Sequence, residues 1–151
     1  MSDLGVLYTA LRTALLDTSQ GVPSWVDRAY ADQAPPSVPG TQIVRPYVVY
    51  GYSAGGDESF LLKSDPNLLI DVIAVANTTT LAVQCAQEIK DRLDDQGSQD
   101  RKHSIFGDGS YYINTITCET RIHFVEQVDK GASQLFHSGN RYRVLMEINH
   151  A

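Results

Sequence analysis

Residues 68–93 carry the clearest pattern of hydrophobic positions in the chain. Their first part, LLIDVIAVA at 68–76, is apolar on both sides of an extended strand, and only Asp71 interrupts it. A run of this kind is typical of a strand inside a sheet that is covered on both faces. Ile73 lies in the middle of the run, so we expect Ile73→Ala to cost about 2–5 kcal/mol of folding free energy if the side chain is buried.

The second part of the same stretch changes to helical spacing. One of the threonines at 78–80 can cap the start of a helix, and Gly97 can end the segment. Polar residues separate apolar ones that recur three or four positions apart, at Ala82, Ala86, Ile89 and Leu93. This spacing predicts an amphipathic helix directly after the strand.

Shorter patterns predict one more helix and three more strands. An apolar stripe from Leu4 to Leu16 predicts a first helix, whereas residues 46–52, 116–126 and 142–148 are β-branched, aromatic or alternating and predict strands. Residues 53–57 predict a turn, and residues 127–141 predict a long connection. The order α, β, β, α, β, β indicates an α+β fold: a single domain over residues 1–151, with one mainly antiparallel or mixed sheet of about four to five strands packed by two helices.

Composition narrows the class of protein. The chain has 151 residues, of which 42% are apolar and 20% charged, as in an ordinary soluble domain. Its net charge of −6 argues against a general binder of nucleic acid or anionic membranes. We find no apolar run of about 18 residues, so we expect no membrane span. Asp3 stands where a secretory signal would carry basic residues, so we expect no signal peptide.

The two cysteines lie on predicted core faces, Cys85 on the second helix and Cys118 on the strand at 116–126. We expect two buried free thiols in a reducing compartment, with a disulfide as the alternative. Thiol counting in denaturant without reductant should then find two sulfhydryl groups.

The most conspicuous motif is Gly-Tyr-Ser-Ala-Gly at 51–55, which has the G-x-S-x-G spacing of a nucleophile elbow with Ser53 as nucleophile. An elbow needs a helix directly after the serine, but Gly55, Gly56 and Asp57 are poor residues to begin one. No oxyanion-hole segment precedes it, and the chain is short for the doubly wound hydrolase fold. We therefore favour a turn, with a small serine hydrolase as the alternative.

Other polar residues suggest structural roles. None of the four histidines, at 103, 123, 137 and 150, is spaced from another His or Cys like a metal ligand. The acidic residues at 91, 94, 95 and 100 lack the pattern of a calcium loop. Asp71 needs a partner because it interrupts an apolar strand, and we expect an ion pair with Arg121 or Arg143.

The order of these segments resembles that of the tail terminator, or tail-completion, proteins of long-tailed bacteriophages. The resemblance rests on the helix LGVLYTALRTALL, the strand PYVVYGYSA, the block at 68–93 and the closing strand YRVLMEI. Its most telling part is an IDV strand that passes into a helix ending in IKDRL. These are patterns of hydrophobicity and order rather than catalytic signatures.

The resemblance implies a structural, non-enzymatic protein without catalytic residues, cofactor or metal. Proteins of this family form hexameric rings, cap the head-proximal end of the tail tube and provide the joining surface for the head connector. We therefore expect a homo-hexamer in the virion tail or neck, assembled in the host cytoplasm, that contacts the tail tube protein and the head–tail connector protein. Neither a membrane nor a specific nucleic-acid sequence is an expected partner. The alternatives are another head–tail connection protein (head-completion or minor tail), the hydrolase, and a cellular ligand-binding domain.

The predicted contacts lie on loops. Residues 127–141 form a longer connection than two neighbouring antiparallel strands need, and apolar residues on a long polar loop often mark a contact surface. The predicted subunit or tail-tube contacts are Asp129, Lys130, Leu135 and Phe136 there, and Asp57, Glu58 and Phe60 near the turn after the strand at 46–52. The open alternative is that Leu135 and Phe136 pack under their own loop.

Overall fold

Two helices and five strands make up the described part of the chain, which in this computed structural model comprises residues 3–19, 21–34, 44–57, 66–94, 111–128 and 133–148. The helices are α1 (Asp3–Leu16) and α2 (Thr79–Leu93). The strands are β1 (Ala29–Ala31), β2 (Tyr47–Asp57), β3 (Pro66–Ala76), β4 (Tyr111–Val128) and β5 (Ser133–Ile148).

The strands form one mixed sheet in the order β1-β2-β3-β5-β4. β1 runs parallel to β2, and the other three pairs of neighbours are antiparallel. The predicted fold class, a single α+β sheet packed by two helices, is confirmed. The short strand β1 is an element that the hydrophobic pattern did not predict, because three residues are too few to show a period.

Both helices contribute to one hydrophobic core on one face of the sheet. Leu7, Leu11 and Leu15 of α1 and Ile89 and Leu93 of α2 are all fully buried in it. Thr78 caps α2 as predicted, because its hydroxyl accepts a hydrogen bond from the backbone N–H of Leu81 at 3.2 Å. The helical spacing in the sequence therefore marks the faces that meet the sheet.

The central strand β3 is covered fully on one face only. Ile70 and Val72, which point to the helices, have no exposed surface, whereas Leu69 and Ile73 on the opposite face are half-buried. The prediction of a strand covered on both faces is therefore wrong for most of the second face. Its apolar run reflects a second surface that no described helix covers.

Two isoleucines on β3 allow a matched test of this difference. We expect Ile70→Ala to lower the free energy of unfolding by about 3 kcal/mol, because the side chain leaves a cavity in the core. Ile73→Ala should cost about 1 kcal/mol, less than the sequence predicted, since part of its surface is already exposed. Urea denaturation of both variants checks this, and equal losses would contradict the assignment of the two faces.

The long connection predicted at 127–141 is wrong. Most of it belongs to the hairpin of β4 and β5, in which Val128 pairs with Ser133 and Glu126 with Leu135. Only residues 129–132 connect the two strands, which is an ordinary hairpin length. The polar run misled the prediction because residues 133–141 belong to the interior strand β5, where backbone pairing with β3 and β4 holds a strand even though many of its side chains are polar.

Candidate interaction surfaces

Ser53 does not lie in a nucleophile elbow. It lies within β2 at a bulge, where the register with β3 shifts between Tyr52 and Ala54. Gly55 and Gly56 continue the strand and pair with β3, so the turn predicted at 53–57 is wrong. An elbow needs a helix immediately after the serine, whereas β2 is followed by its antiparallel partner β3. The glycines belong to a paired strand, not to a catalytic turn.

The predicted contact residues fall on different parts of the molecule. Leu135 and Phe136 are half-buried residues of strand β5, not loop residues, and Phe136 pairs with Ala76 and Val125. Asp57 is the last residue of β2. The other four, Asp129, Lys130, Glu58 and Phe60, lie outside the described residues.

Asp71 forms the ion pair that the sequence required, but with a different arginine. Arg141 stands directly opposite it on β5, and its Nε and Nη2 donate to the two carboxylate oxygens at 2.8 and 3.2 Å. The hydrogen bonds to Asp71 raise the pKa of Arg141 above the ordinary value of an arginine. Arg143, one of the two predicted partners, pairs instead with Glu119. The strand register decides the choice, and the sequence does not reveal that register.

Two of the four histidines lie on the β4–β5 hairpin. His137 stacks on Phe124 with ring centroids 4.2 Å apart, and its Nε2 lies 2.9 Å from a carboxylate oxygen of Glu126. His123 is exposed. The residues that the structure describes contain no group of three or more His, Cys, Asp or Glu side chains that could hold a metal ion. His103 and His150 lie outside the described residues.

A groove of about 340 Å³ lies between α2 and the β4–β5 hairpin. α2 covers β3 and β5 more than the edge strand β4, so the space beside the helix remains open. Val83 and Ala86 of α2 form an apolar wall, and Ser138 and Asn140 of β5 form part of a polar floor. Cys118 also lines the groove. This concave surface combines apolar and hydrogen-bonding groups, as binding sites commonly do.

The charges that line the groove are mainly positive. Lys90 of α2 and Arg121 of β4 are among the lining residues, and neither forms an ion pair with another residue in the described ranges. The acidic lining residue, Glu119, is neutralised by Arg143. The groove therefore favours a ligand that carries negative charge, although the whole chain carries a net charge of −6.

The two cysteines are free, as predicted; Cys85 is buried and Cys118 is half-buried. Burial, followed by the negative charge of Glu88, raises the pKa of the Cys85 thiol from 9.0 to about 11. Burial also raises the pKa of the Cys118 thiol. Both thiols are therefore protonated at neutral pH and react slowly.

The raised thiol pKa predicts a loss of stability in alkali. The folded protein holds the Cys85 proton to a higher pH than the unfolded chain does, so this contribution is complete below about pH 9 and is lost as the pH rises towards 11. The loss should reach about 2–3 kcal/mol at pH 11, because one pKa unit corresponds to about 1.4 kcal/mol. Urea denaturation at pH 8, 9.5 and 11 measures it. Cys85→Ala should reduce the slope, and an unchanged slope would refute this origin.

No helix in the described part of the chain is long and apolar enough to cross a membrane. Comparison with known proteins finds a similar fold in a solved structure. No family model matches the chain, and no curated protein matches it. A chain in the solved virion of a native gene transfer agent (GTA) particle superposes with a TM-score of 0.50 at 16% sequence identity, and the match covers 95% of both chains. The two chains share a fold. At this identity the likeness concerns architecture over nearly the whole length, not particular residues.

Proposed function

We propose that this protein is a structural component of a phage-like virion, and that within the virion it is the tail terminator. The observation that carries the proposal is the fold match over 95% of the chain to a protein of a gene transfer agent virion. The order of segments, from the leading helix to the closing strand, independently resembles that of tail terminator proteins. In this role the protein forms a homo-hexameric ring on the head-proximal end of the tail tube and joins it to the head–tail connector, without catalysis.

The uncovered face of the sheet supports a role in assembly. Leu69 and Ile73 of β3, Leu135 and Leu145 of β5, and Ile122 of β4 are half-buried there. Phe124 is 46% exposed on the same face. Apolar surface of this kind often marks a protein–protein contact. Leu135 therefore remains a proposed contact, although it lies on a strand rather than a loop. Phe136 lies on the opposite, helix-facing side of β5 but is only half-buried, and it also remains a proposed contact. Asp57, Glu58, Phe60, Asp129 and Lys130 complete the proposed set.

Native mass spectrometry of the purified protein tests the ring. We expect a species of six times the 16.6 kDa chain mass. A chain that remains monomeric at every concentration would overturn the ring in solution. Phe136→Asp should weaken the ring while the monomer keeps its melting temperature. If the monomer itself is destabilised, Phe136 belongs to the core.

A genetic experiment tests the position in the virion. Particles made without this protein should contain tails that fail to join heads, and adding the purified protein should restore joining. Tails that join heads normally without it would refute the terminator role. A defect in filled heads, with normal tails, would favour another head–tail connection protein.

The serine hydrolase alternative is tested separately. Ser53→Ala should leave head–tail joining unchanged, since Ser53 is an exposed residue at a strand bulge. Labelling of the wild-type protein, but not of this variant, by a fluorophosphonate would favour the hydrolase.

A further inference from the structure

We propose that the groove between α2 and the β4–β5 hairpin receives residues 58–62 of a second copy of this chain. The inference rests on the proposed ring, and it names the surfaces through which neighbouring subunits would join. The groove provides an apolar wall at Val83 and Ala86 beside two cations, Lys90 and Arg121, that have no ion-pair partner among the described residues. An occupant that fits it carries carboxylates next to apolar side chains.

The segment that follows β2, together with Asp57 at the end of that strand, has this composition. Residues 57–62 read Asp-Glu-Ser-Phe-Leu-Leu, so two successive carboxylates are followed within two residues by three apolar side chains. The segment at 35–43 has no acidic residue, and residues 129–132 and 149–151 are too short to offer such a run. In the segment at 95–110, Arg101 and Lys102 would be repelled by the groove, and its apolar pair, Ile105 and Phe106, is followed by one carboxylate, Asp108, rather than two.

The chain cannot place the carboxylates and Phe60 of this segment in its own groove. Asp57 pairs with Pro66 at one end of the β2–β3 hairpin, three strands away from β4. Three strand spacings amount to about 14 Å, and Cys118 in the groove lies about four further residues along, about 13 Å, so that the two Cα atoms are about 19 Å apart. Phe60 follows Asp57 by three residues and extends at most about 10 Å from it. The groove must therefore take the segment from another copy.

The geometry also allows the kind of association that a ring needs. The donor segment and the acceptor groove are different surfaces of the molecule. Each copy can therefore insert its segment into the groove of one neighbour and accept the segment of another neighbour in its own groove. Such head-to-tail contacts generate a closed ring when the rotation between subunits closes. A two-fold symmetric dimer, in which two copies exchange segments, would instead stop at two subunits.

Cross-linking tests the contact directly because Cys118 already lies in the groove. A cysteine placed at the donor segment, Phe60→Cys in a Cys85→Ser background, should form a disulfide with Cys118 of the neighbouring subunit under copper–phenanthroline oxidation. Non-reducing electrophoresis should show a ladder of covalent oligomers. A disulfide needs Cα atoms within about 7 Å, so the distance of about 19 Å between Asp57 and Cys118 prevents the bond within one chain.

The matched control for the cross-link carries the same donor cysteine in a chain that also has Cys118→Ser. This variant keeps one thiol per chain, at the donor segment. It should give no ladder, and at most covalent dimers in which the introduced cysteines of two chains are joined to each other. A full ladder from this control would show that the oligomers form without the groove.

Charge reversal gives a second readout that leaves the cysteines untouched. Arg121→Glu and Glu58→Arg should each weaken association about tenfold or more, and the double variant should recover most of the loss because the pair is restored with reversed signs. Asp27→Arg is the control, since it makes the same charge change as Glu58→Arg at an exposed turn residue away from the groove.

The outcomes separate this contact from the proposed function. A wild-type ring in native mass spectrometry without the cross-link between positions 60 and 118 and without charge-reversal rescue would overturn the contact and leave the ring intact. Covalent dimers only, or a disulfide within one chain, would also overturn it. A wild-type chain that never associates would overturn the ring itself, and the contact with it.

Discussion

Gly139→Ala should lower the free energy of unfolding by about 4 kcal/mol or more, which is enough to unfold many domains of this size. Gly139 lies on β5 between Ile73 of β3 and Ile122 of β4. A Cβ atom added there would lie 2.1 Å from the carbonyl oxygen of Val72 and 2.6 Å from the Cα of Ile73. Both are backbone atoms of the central strand, so no side-chain rotation can relieve the clash and the two strands would have to separate.

Gly51→Ala is the matched control, because it also places a methyl group on a strand glycine. Its nearest neighbour would be the carboxylate oxygen Oδ1 of Asp32, at 3.3 Å, so a shift of a few tenths of an ångström in one side chain relieves the contact. We expect a cost below about 1 kcal/mol there. Urea denaturation followed by far-ultraviolet circular dichroism measures both variants. Similar costs at the two glycines would mean that the contact between β3 and β5 is looser than the structure indicates.

Trp25→Ala should cost about 4–5 kcal/mol, within the range for removing a large aromatic residue from a core. Trp25 has no exposed surface, and its indole N–H donates to the carbonyl oxygen of Leu15 at 2.8 Å. That carbonyl belongs to the last turn of α1, where the helix itself offers no partner. The guanidinium of Arg92 lies 5.5 Å from the ring centroid and also donates to the carbonyl of Asp17, at 2.6 Å. The tryptophan thus joins the end of α1 to α2.

Two controls divide this cost into its parts. Trp25→Phe keeps most of the buried apolar area but leaves the Leu15 carbonyl without its donor, so it should cost about 1–3 kcal/mol. Val22→Ala changes a neighbouring side chain that is 67% exposed and should cost under about 0.5 kcal/mol. Circular dichroism is the appropriate probe, since Trp25 is the one tryptophan of the chain. A cost for Trp25→Ala close to that of Val22→Ala would refute its place in the core.

The sequence by itself determined the elements with a strong hydrophobic period. Strand β3 and helix α2 were predicted within a few residues, and so was α1, because each buries a regular set of side chains against a single core. The fold class followed from their order. The cap at Thr78 followed too, since a side-chain cap acts within a few residues of the chain and needs no tertiary contact.

Only the tertiary structure decided the features that join distant parts of the chain. Residues 133–141 looked like a loop because they are rich in polar residues, yet they form a strand between β3 and β4 that satisfies its backbone on both sides. The partner of Asp71 depends on strand register, which placed Arg141 opposite it rather than Arg121 or Arg143. The groove brings together Lys90 and Arg121, which belong to different elements. A hydrophobic period records which face of an element is buried, but not which element lies beside it.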